Sequence, residues 1–208
     1  MKTKFVNIVF VIDESGSMQG SNSDVIGGFN SYIERHCNEP DARVNVSLYK
    51  FNQVITKFIA NKPVKEVDNL KDEDYSPSGF TALFDAIGLA ITDTDGLIEL
   101  LPVNERPSTI MMVIITDGQE NASREYSSLA LKSTIATHEK LLNWKFIYLG
   151  ADLNNFADAQ QLGISNHIAF RKKNMSSKFD CIADAGIQFS LACEDELDDV
   201  QLLNDLKD

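Results

Sequence analysis

Short apolar runs alternate with longer stretches of helical periodicity along most of this chain. The apolar runs are rich in Val, Ile and Phe, and the first and fourth are apolar on both faces, as parallel strands covered by helices are. Six strands are predicted: Lys4–Ile12, Arg43–Phe51, Gln53–Ile59, Thr109–Thr116, Trp144–Leu149 and His167–Phe170. Five helices are predicted: Asp24–Cys37, Ala82–Leu101, Ser128–Leu142, Asn155–Leu162 and Ser176–Ala192.

The order of these elements predicts the fold class. Strand and helix alternate after residue 80, which favours parallel strands joined by crossover helices. Only Asn52 separates the second predicted strand from the third, so these two should form a hairpin. We therefore predict an α/β fold of three layers, with a doubly wound, six-stranded, mostly parallel sheet, one antiparallel edge strand, and helices on both faces.

No repeat or linker divides residues 1–193, which we predict to form one domain. The segment Glu194–Asp208 differs in character, with seven acidic residues and one lysine. Its leucines have rough helical spacing, so it is predicted either to pack on the domain as a short helix or to form an acidic tail. Within the domain, Asn61–Gly79 is a long polar connection, and such loops are usually functional or mobile.

The charge and the cysteines narrow the class of protein. The chain has 19 Lys and Arg against 31 Asp and Glu, a net charge of −12, which disfavours direct binding to nucleic acid. Its three cysteines are widely spaced and odd in number, which favours a reducing compartment. No apolar stretch is long enough to span a membrane, and the N-terminal apolar run lacks a cleavage site. We therefore predict a cytoplasmic protein without membrane contact.

Three polar clusters stand where predicted strands end or helices begin. Asp13-Glu14-Ser15-Gly16-Ser17 follows the first strand, Thr81 precedes the second helix, and Asp117-Gly118 follows the fourth strand. Ligands of open α/β sheets bind beyond the carboxyl ends of the strands, where the winding reverses. If the first and fourth strands are neighbours at that reversal, all three clusters converge on one crevice.

The residue types in these clusters favour a hard divalent cation. Hydroxyl and carboxylate oxygens suit Mg²⁺, with Mn²⁺ as a substitute and Ca²⁺ less suitable. Mg²⁺ prefers six ligands and keeps water where the protein does not reach, so a short donor set leaves a coordination position for another molecule.

Each cluster also has a simpler explanation on its own. Asp and Ser favour turns, so Asp13, Ser15 and Ser17 could form only a turn after a strand. Thr81 could be only the N-cap of the helix that follows it. Asp117-Gly118 could be only a turn at a strand end. The metal hypothesis rests on the combination.

In this combination the sequence resembles the von Willebrand factor A domains. Their metal-ion-dependent adhesion site has the pattern Asp-x-Ser-x-Ser, a distant Thr and a distant Asp, which is complete here as Asp13, Ser15, Ser17, Thr81 and Asp117. The order of elements is similar over essentially the whole chain. The missing secretion signal favours an intracellular member of bacterial or phage type.

The resemblance implies a role for each position. Ser15 and Ser17 would coordinate the metal through their hydroxyls, and Thr81 directly or through water. Asp13 and Asp117 would mainly hold coordinated water. A Glu or Asp side chain of a partner protein would complete the octahedron, and partner binding can shift the last helix. The partner-binding rim is predicted to include Glu14, Phe80, Gly118 and Glu120.

We therefore predict a metal-dependent module for protein–protein interaction, which is not an enzyme. Two alternatives stay open from the sequence. One is a metal-assisted hydrolase or phosphoryl-transfer enzyme at the same site, although the sequence lacks a Gly-x-Ser-x-Gly elbow and a phosphate-binding glycine loop. The other is an acidic protein that mimics nucleic acid. The sequence does not predict the partner's identity or the oligomeric state.

Overall fold

The computed structural model describes residues 5–39, 41–150, 156–169 and 175–191. Its strands are β1 (Phe5–Asp13), β2 (Arg43–Phe51), β3 (Ile55–Pro63), β4 (Thr109–Thr116), β5 (Trp144–Gly150) and β6 (His167–Ala169). Its longer helices are α1 (Asn22–Cys37), α2 (Leu83–Leu100), α3 (Ser128–Leu141), α4 (Phe156–Leu162) and α5 (Met175–Leu191). The observed boundaries lie close to the predicted ones, with the largest difference at the end of β3.

The strands form one sheet in the order β3-β2-β1-β4-β5-β6. Only the hairpin of β2 and β3 is antiparallel, and the other neighbouring strands are parallel. The predicted α/β fold with a mixed, mostly parallel sheet is therefore confirmed. Since β1 pairs with β4, Ile12 lies beside Ile115, and the segments that follow these two strands start at the same edge of the sheet.

All nine residues of β1 are buried, because helices cover the sheet on both sides. Val6, Ile8, Phe10 and Ile12 belong to the core beneath α1 and α5, whereas Val9 and Val11 belong to the core beneath α2, α3 and α4. Alternate side chains of a strand point to opposite faces, so a strand that is apolar throughout supplies both cores at once. This arrangement is the physical reason for the unbroken apolar run in the sequence.

The long connection before α2 is packed against the domain. Val64, Val67, Leu70 and Tyr75 are buried in the core beneath α1. Asn30 on α1 fixes the middle of the connection, because its side-chain amide donates to Leu70 O at 2.9 Å and its carbonyl oxygen accepts from Leu70 N at 2.7 Å. The four apolar side chains are scattered among polar residues, which is why the sequence shows only a polar connection.

The predicted acidic segment Glu194–Asp208 lies outside the described residues, so the division into residues 1–193 and 194–208 stays a prediction. Within the described ranges, none of the helices has both the length and the apolar character that crossing a bilayer requires.

One buried histidine makes the folded state sensitive to acid. His36 on α1 is 0% exposed, and its ring lies 4.3 Å from the Tyr32 ring, with Nδ1 at 3.0 Å from Tyr32 O. Its Nε2 has no hydrogen-bond partner among the described residues. Burial lowers the pKa of His36 from 6.5 to about 4, and the neighbouring positive charge of Arg35 contributes to the decrease.

This pKa predicts a loss of stability in acid. Because the pKa of His36 is lower in the folded state, the unfolded chain binds more protons, and the contribution is complete above pH 6.5 and is lost as the pH falls towards 4. Between about pH 6.5 and 4.5 we expect the wild type to lose about 2 kcal/mol more unfolding free energy than His36→Leu. Urea unfolding of both proteins at several pH values measures the difference, and equal pH profiles would contradict it.

Candidate metal centre

The end of β1 turns sharply and brings three polar side chains together. Asp13 is 0% exposed, and its Oδ1 accepts a hydrogen bond from Ser15 N at 2.7 Å. This bond bends the chain so that Ser15 Oγ and Ser17 Oγ lie 3.0 Å apart. Gly16 N donates to Gly79 O at 3.1 Å, which ties the turn to the segment before Thr81. Two hydroxyls and a buried carboxylate therefore share one small region.

The other two segments reach the same region, and Gly118 shows how closely. A β carbon added to Gly118 would lie 2.9 Å from Thr81 Oγ1, 3.1 Å from Ser17 Oγ and 3.4 Å from Asp13 Oδ2. Oxygen atoms from the segment at the end of β1 and from the segment before α2 thus lie around a single point beside Gly118, in the segment after β4. Asp117 directly precedes Gly118, and its charge is near enough to contribute to the raised pKa of Asp13.

The electrostatics of the centre favour a cation. Burial raises the pKa of Asp13, and the charge of Asp117 adds to the increase, while hydrogen bonds from Thr116 and Ser15 partly offset it. Two acidic groups in a buried region repel each other, and a divalent cation would relieve this repulsion. The hydrogen bonds of Asp13 therefore do not fully compensate the burial of its charge.

The donor set fits a hard cation and does not fit zinc. Within the described ranges, no group of three His, Cys, Asp or Glu side chains is placed to hold a metal ion. The converging donors are instead hydroxyl and carboxylate oxygens, which suit Mg²⁺ or Mn²⁺. The cradle of oxygens beside Gly118 is open because this residue has no side chain, so the residues present fit the ion that the sequence predicts.

Thr81 does not cap the helix that follows it. Helix α2 begins at Leu83, and Ala82 occupies the N-cap position without a side-chain hydrogen bond. The explanation of Thr81 as only an N-cap is therefore wrong. Its side chain is 3% exposed and its Oγ1 faces the shared point beside Gly118.

The first N–H groups of α2 are bound by other loops. Phe84 N donates to Glu120 Oε2 at 2.8 Å, and Asp85 N donates to Ser123 Oγ at 3.0 Å. Before the helix, Ala82 N donates to Asn52 O at 3.0 Å. A helix leaves its first N–H groups without internal partners, so these acceptors replace the missing cap.

The four predicted rim residues differ in what they offer a partner. Phe80 is 66% exposed beside Thr81, and Gly118 lines the centre itself. Glu14 instead accepts from Lys50 Nζ at 3.3 Å and from Ser76 N at 2.6 Å. Glu120 accepts from Phe84 N, Ala122 N, Ser123 N and the Ser123 hydroxyl. The two glutamates therefore already have partners within the chain, and the rim stays a prediction.

Three residues of the centre were missed by the sequence reasoning. Thr116 at the end of β4 donates to Asp13 Oδ2 at 2.5 Å and accepts from Gly118 N at 3.0 Å. The Tyr75 hydroxyl donates to Asp13 O. Asn121 is hydrogen bonded to Thr81. Thr116 resembles any β-branched strand residue in the sequence, and Asn121 is notable only for its position four residues after Asp117.

The sequence-family model of the von Willebrand factor type A domain matches residues 7–180 of the chain. A comparison with curated protein sequences found no match.

Several solved structures with a similar fold are pilus proteins. The vWF domain of the type V pili tip protein Mfa5 from Porphyromonas gingivalis has a TM-score of 0.65 at 12% identity, with 94% of this chain and 99% of that chain covered. The PilB minor pilin from Streptococcus sanguinis has a TM-score of 0.67 at 14% identity, covering 94% and 64%. The pilus adhesin SpaC from Lactobacillus rhamnosus GG has a TM-score of 0.67 at 14% identity, covering 91% and 31%. The chain thus spans less than two thirds of the pilin and the adhesin, and identities this low show the fold alone.

Proposed function

The chain belongs to the von Willebrand factor type A domain family, and from this premise we propose that it is a metal-dependent module for binding another protein. Asp13, Ser15, Ser17, Thr81 and Asp117 would hold one Mg²⁺, with Mn²⁺ as a substitute. A Glu or Asp side chain of the partner would occupy the open coordination position.

One observation carries this proposal, namely the convergence of oxygen atoms beside Gly118. Thr81 Oγ1, Ser17 Oγ and Asp13 Oδ2 come from two segments that are far apart in the sequence, and they lie within 3.4 Å of one point next to a third segment. A structural turn needs no such convergence. Hydroxyl and carboxylate oxygens collected around an open space are typical of an oxygen-donor cation site.

The chemistry of these residues supports a binding role. Ser15, Ser17 and Thr81 are neutral donors, so the centre contributes two negative charges at most, from Asp13 and Asp117. A bound divalent ion would supply the positive charge and the open position that attract a carboxylate. The protein's part is to hold the hydroxyls in place and to keep Asp13 away from bulk solvent.

The comparisons agree with a role in protein interaction. The structures with a similar fold include a pili tip protein, a minor pilin and a pilus adhesin. These identities of 12 to 14% establish only the fold. A role of this chain in adhesion or assembly is therefore a proposal. The cytoplasmic location stays a prediction from the cysteine content.

The two alternatives predict different measurements. A metal-assisted hydrolase would release phosphate or another product in a metal-dependent way, or Ser15 would be labelled by a fluorophosphonate probe. An acidic mimic of nucleic acid would keep its partner in the presence of chelator and lose it when Glu194–Asp208 is deleted.

The proposal predicts that metal stabilises the fold. An ion that binds only the folded state adds about 2.7 kcal/mol at a hundred times its Kd, which corresponds to roughly 5–10 °C in Tm for a chain of this size. We expect this shift when Mg²⁺ or Mn²⁺ replaces EDTA in thermal unfolding of the wild type, and no shift for the double variant Ser15→Ala/Ser17→Ala.

The comparison in EDTA is the control for this experiment. The double variant should unfold cooperatively there, so that a missing metal response is not a failure to fold. Equal Tm values of the wild type with EDTA and with millimolar metal would refute the metal centre. An equal shift in both proteins would place the ion elsewhere.

A further inference from the structure

The loop that follows the candidate metal centre is hydrogen bonded to the start of α2. We call residues 120–126 the clasp. Besides the bonds that Glu120 and Ser123 accept from the first turn of α2, the side chain of Asp85 in the same turn also binds the clasp. The Asp85 carboxylate accepts from Arg124 N at 2.8 Å and from Glu125 N and Tyr126 N at 2.9 Å. The clasp thus accepts hydrogen bonds from N–H groups of the helix, and the helix accepts hydrogen bonds from N–H groups of the clasp.

Packing closes the same contact. A β carbon added to Gly88 on α2 would lie 2.3 Å from Tyr126 Cδ1, so the Tyr126 ring lies directly against the helix backbone. The Tyr126 hydroxyl is also 3.0 Å from Thr92 Oγ1, one turn further along α2. The clasp therefore extends along two turns of the helix and fixes its position relative to β4.

Within the clasp, Asn121 binds Thr81 in two ways. Thr81 N donates to Asn121 Oδ1 at 2.9 Å, and Asn121 N donates to Thr81 O at 3.0 Å. Both backbone groups of Thr81 are therefore held by one residue. The N–H groups of Phe80 and Ala82 are bound instead by Gln53 and Asn52 of the β2–β3 turn.

We propose that Asn121 is a positioning residue that holds the Thr81 hydroxyl in the metal donor set. This inference rests on the proposed metal function. Asn121 does not supply any of the three oxygen atoms nearest the shared point, and it would act through the backbone of Thr81. The clasp follows Asp117 and Gly118 closely in the chain, so Asn121 connects Thr81 to the segment that contains Asp117. Thr81 is therefore held in place without a partner.

The direct test is the affinity for Mn²⁺, measured from the EPR signal of the free ion with the full chain. Loss of an outer residue that orients a ligand typically weakens metal binding by about 10- to 100-fold, and we expect Asn121→Ala to fall in this range. A wild type without measurable Mn²⁺ binding would overturn the proposed function. Unchanged affinity of Asn121→Ala beside a binding wild type would overturn only the role of Asn121.

Asn30 provides a matched control. Its side chain accepts from Leu70 N, as the Asn121 side chain accepts from Thr81 N, and it also donates to Leu70 O, whereas Thr81 O is bound by the Asn121 backbone. Asn30→Ala should therefore lower the Tm in EDTA at least as much as Asn121→Ala, without lowering the affinity for Mn²⁺. An equal loss of affinity in the two variants would mean that Asn121 acts only through general stability, and would overturn the proposal.

A double-mutant cycle identifies Thr81 as the residue through which Asn121 acts. Thr81→Val removes the hydroxyl, keeps the side-chain shape and keeps the backbone groups that Asn121 binds. In the Thr81→Val background, we expect Asn121→Ala to cause no further loss of Mn²⁺ affinity. A further loss as large as that in the wild type would show that Asn121 acts through another ligand and would overturn the assignment to Thr81.

Discussion

Replacing Gly118 with alanine is expected to abolish metal binding while the fold stays intact. The added methyl group would lie 2.9 Å from Thr81 Oγ1 and 3.1 Å from Ser17 Oγ, in the space that the donor oxygens surround. An ion that lies about 2.1 Å from these oxygens in this space would overlap with the methyl group. The Tm shift on addition of Mg²⁺ should therefore disappear. In EDTA we expect a change in unfolding free energy within about 1 kcal/mol, because tight contacts offset the entropy gain of Gly→Ala.

Gly16 gives the control from the same centre. A β carbon added to Gly16 would meet Gly79 O at 3.4 Å, an ordinary contact, although this residue lies between Ser15 and Ser17. Gly16→Ala should therefore keep most of the metal response. Isothermal titration with Mn²⁺ on both variants distinguishes them. Binding by Gly118→Ala with wild-type affinity would show that the ion, if present, does not lie beside Gly118.

The sequence predicted the framework because its signals are local. The unbroken apolar runs of β1 and β4 identify strands that are covered on both sides, and alternation with helices identifies parallel connections. The pairing of β1 with β4 then places the two polar segments at one edge of the sheet. The five candidate ligands stand out for the same reason, since they end or follow β1, follow β4 or come shortly before α2.

The residues that support the ligands could not be predicted in this way. Tyr75 donates to the Asp13 backbone across 62 positions, and Thr81 N and Asn121 are 40 positions apart. Such bonds depend on how loops meet in space, and an isolated tyrosine or asparagine in a loop has no periodicity that indicates its partner. The buried side chains of the connection before α2 were overlooked because polar residues separate them.

Asp13→Asn is expected to raise the stability of the metal-free protein and to remove its stabilisation by metal. In the absence of metal, burial and the charge of Asp117 disfavour the ionised Asp13 side chain. An asparagine could keep both hydrogen bonds of Asp13: its Oδ1 would accept from Ser15 N, and its amide would donate to Thr116 Oγ1. The Thr116 hydroxyl could then donate to Gly118 O, which lies 3.2 Å away. The variant thus loses a buried charge without losing a partner.

The pH dependence of this effect follows from the direction of the pKa shift. The pKa of Asp13 is raised above 3.8 in the folded state, so the folded chain holds a proton that the unfolded chain has released. The metal-free wild type therefore loses stability as the pH rises above 3.8, until Asp13 is ionised in both states. Asp13→Asn lacks this loss, and its advantage over the wild type should grow with pH in the same window.

At neutral pH in EDTA, we expect Asp13→Asn to be more stable than the wild type by about 1 kcal/mol, the size typical of substitutions that relieve a strained functional site. With Mg²⁺ the order should reverse, because only the wild type gains stability from the ion. Urea unfolding of both proteins with and without Mg²⁺ measures all four values. A variant less stable than the wild type in EDTA would mean that the Asp13 carboxylate stabilises the fold. A centre that destabilises the metal-free fold and stabilises the metal-bound one is consistent with a binding site. A purely structural turn does not need a buried acid beside Asp117.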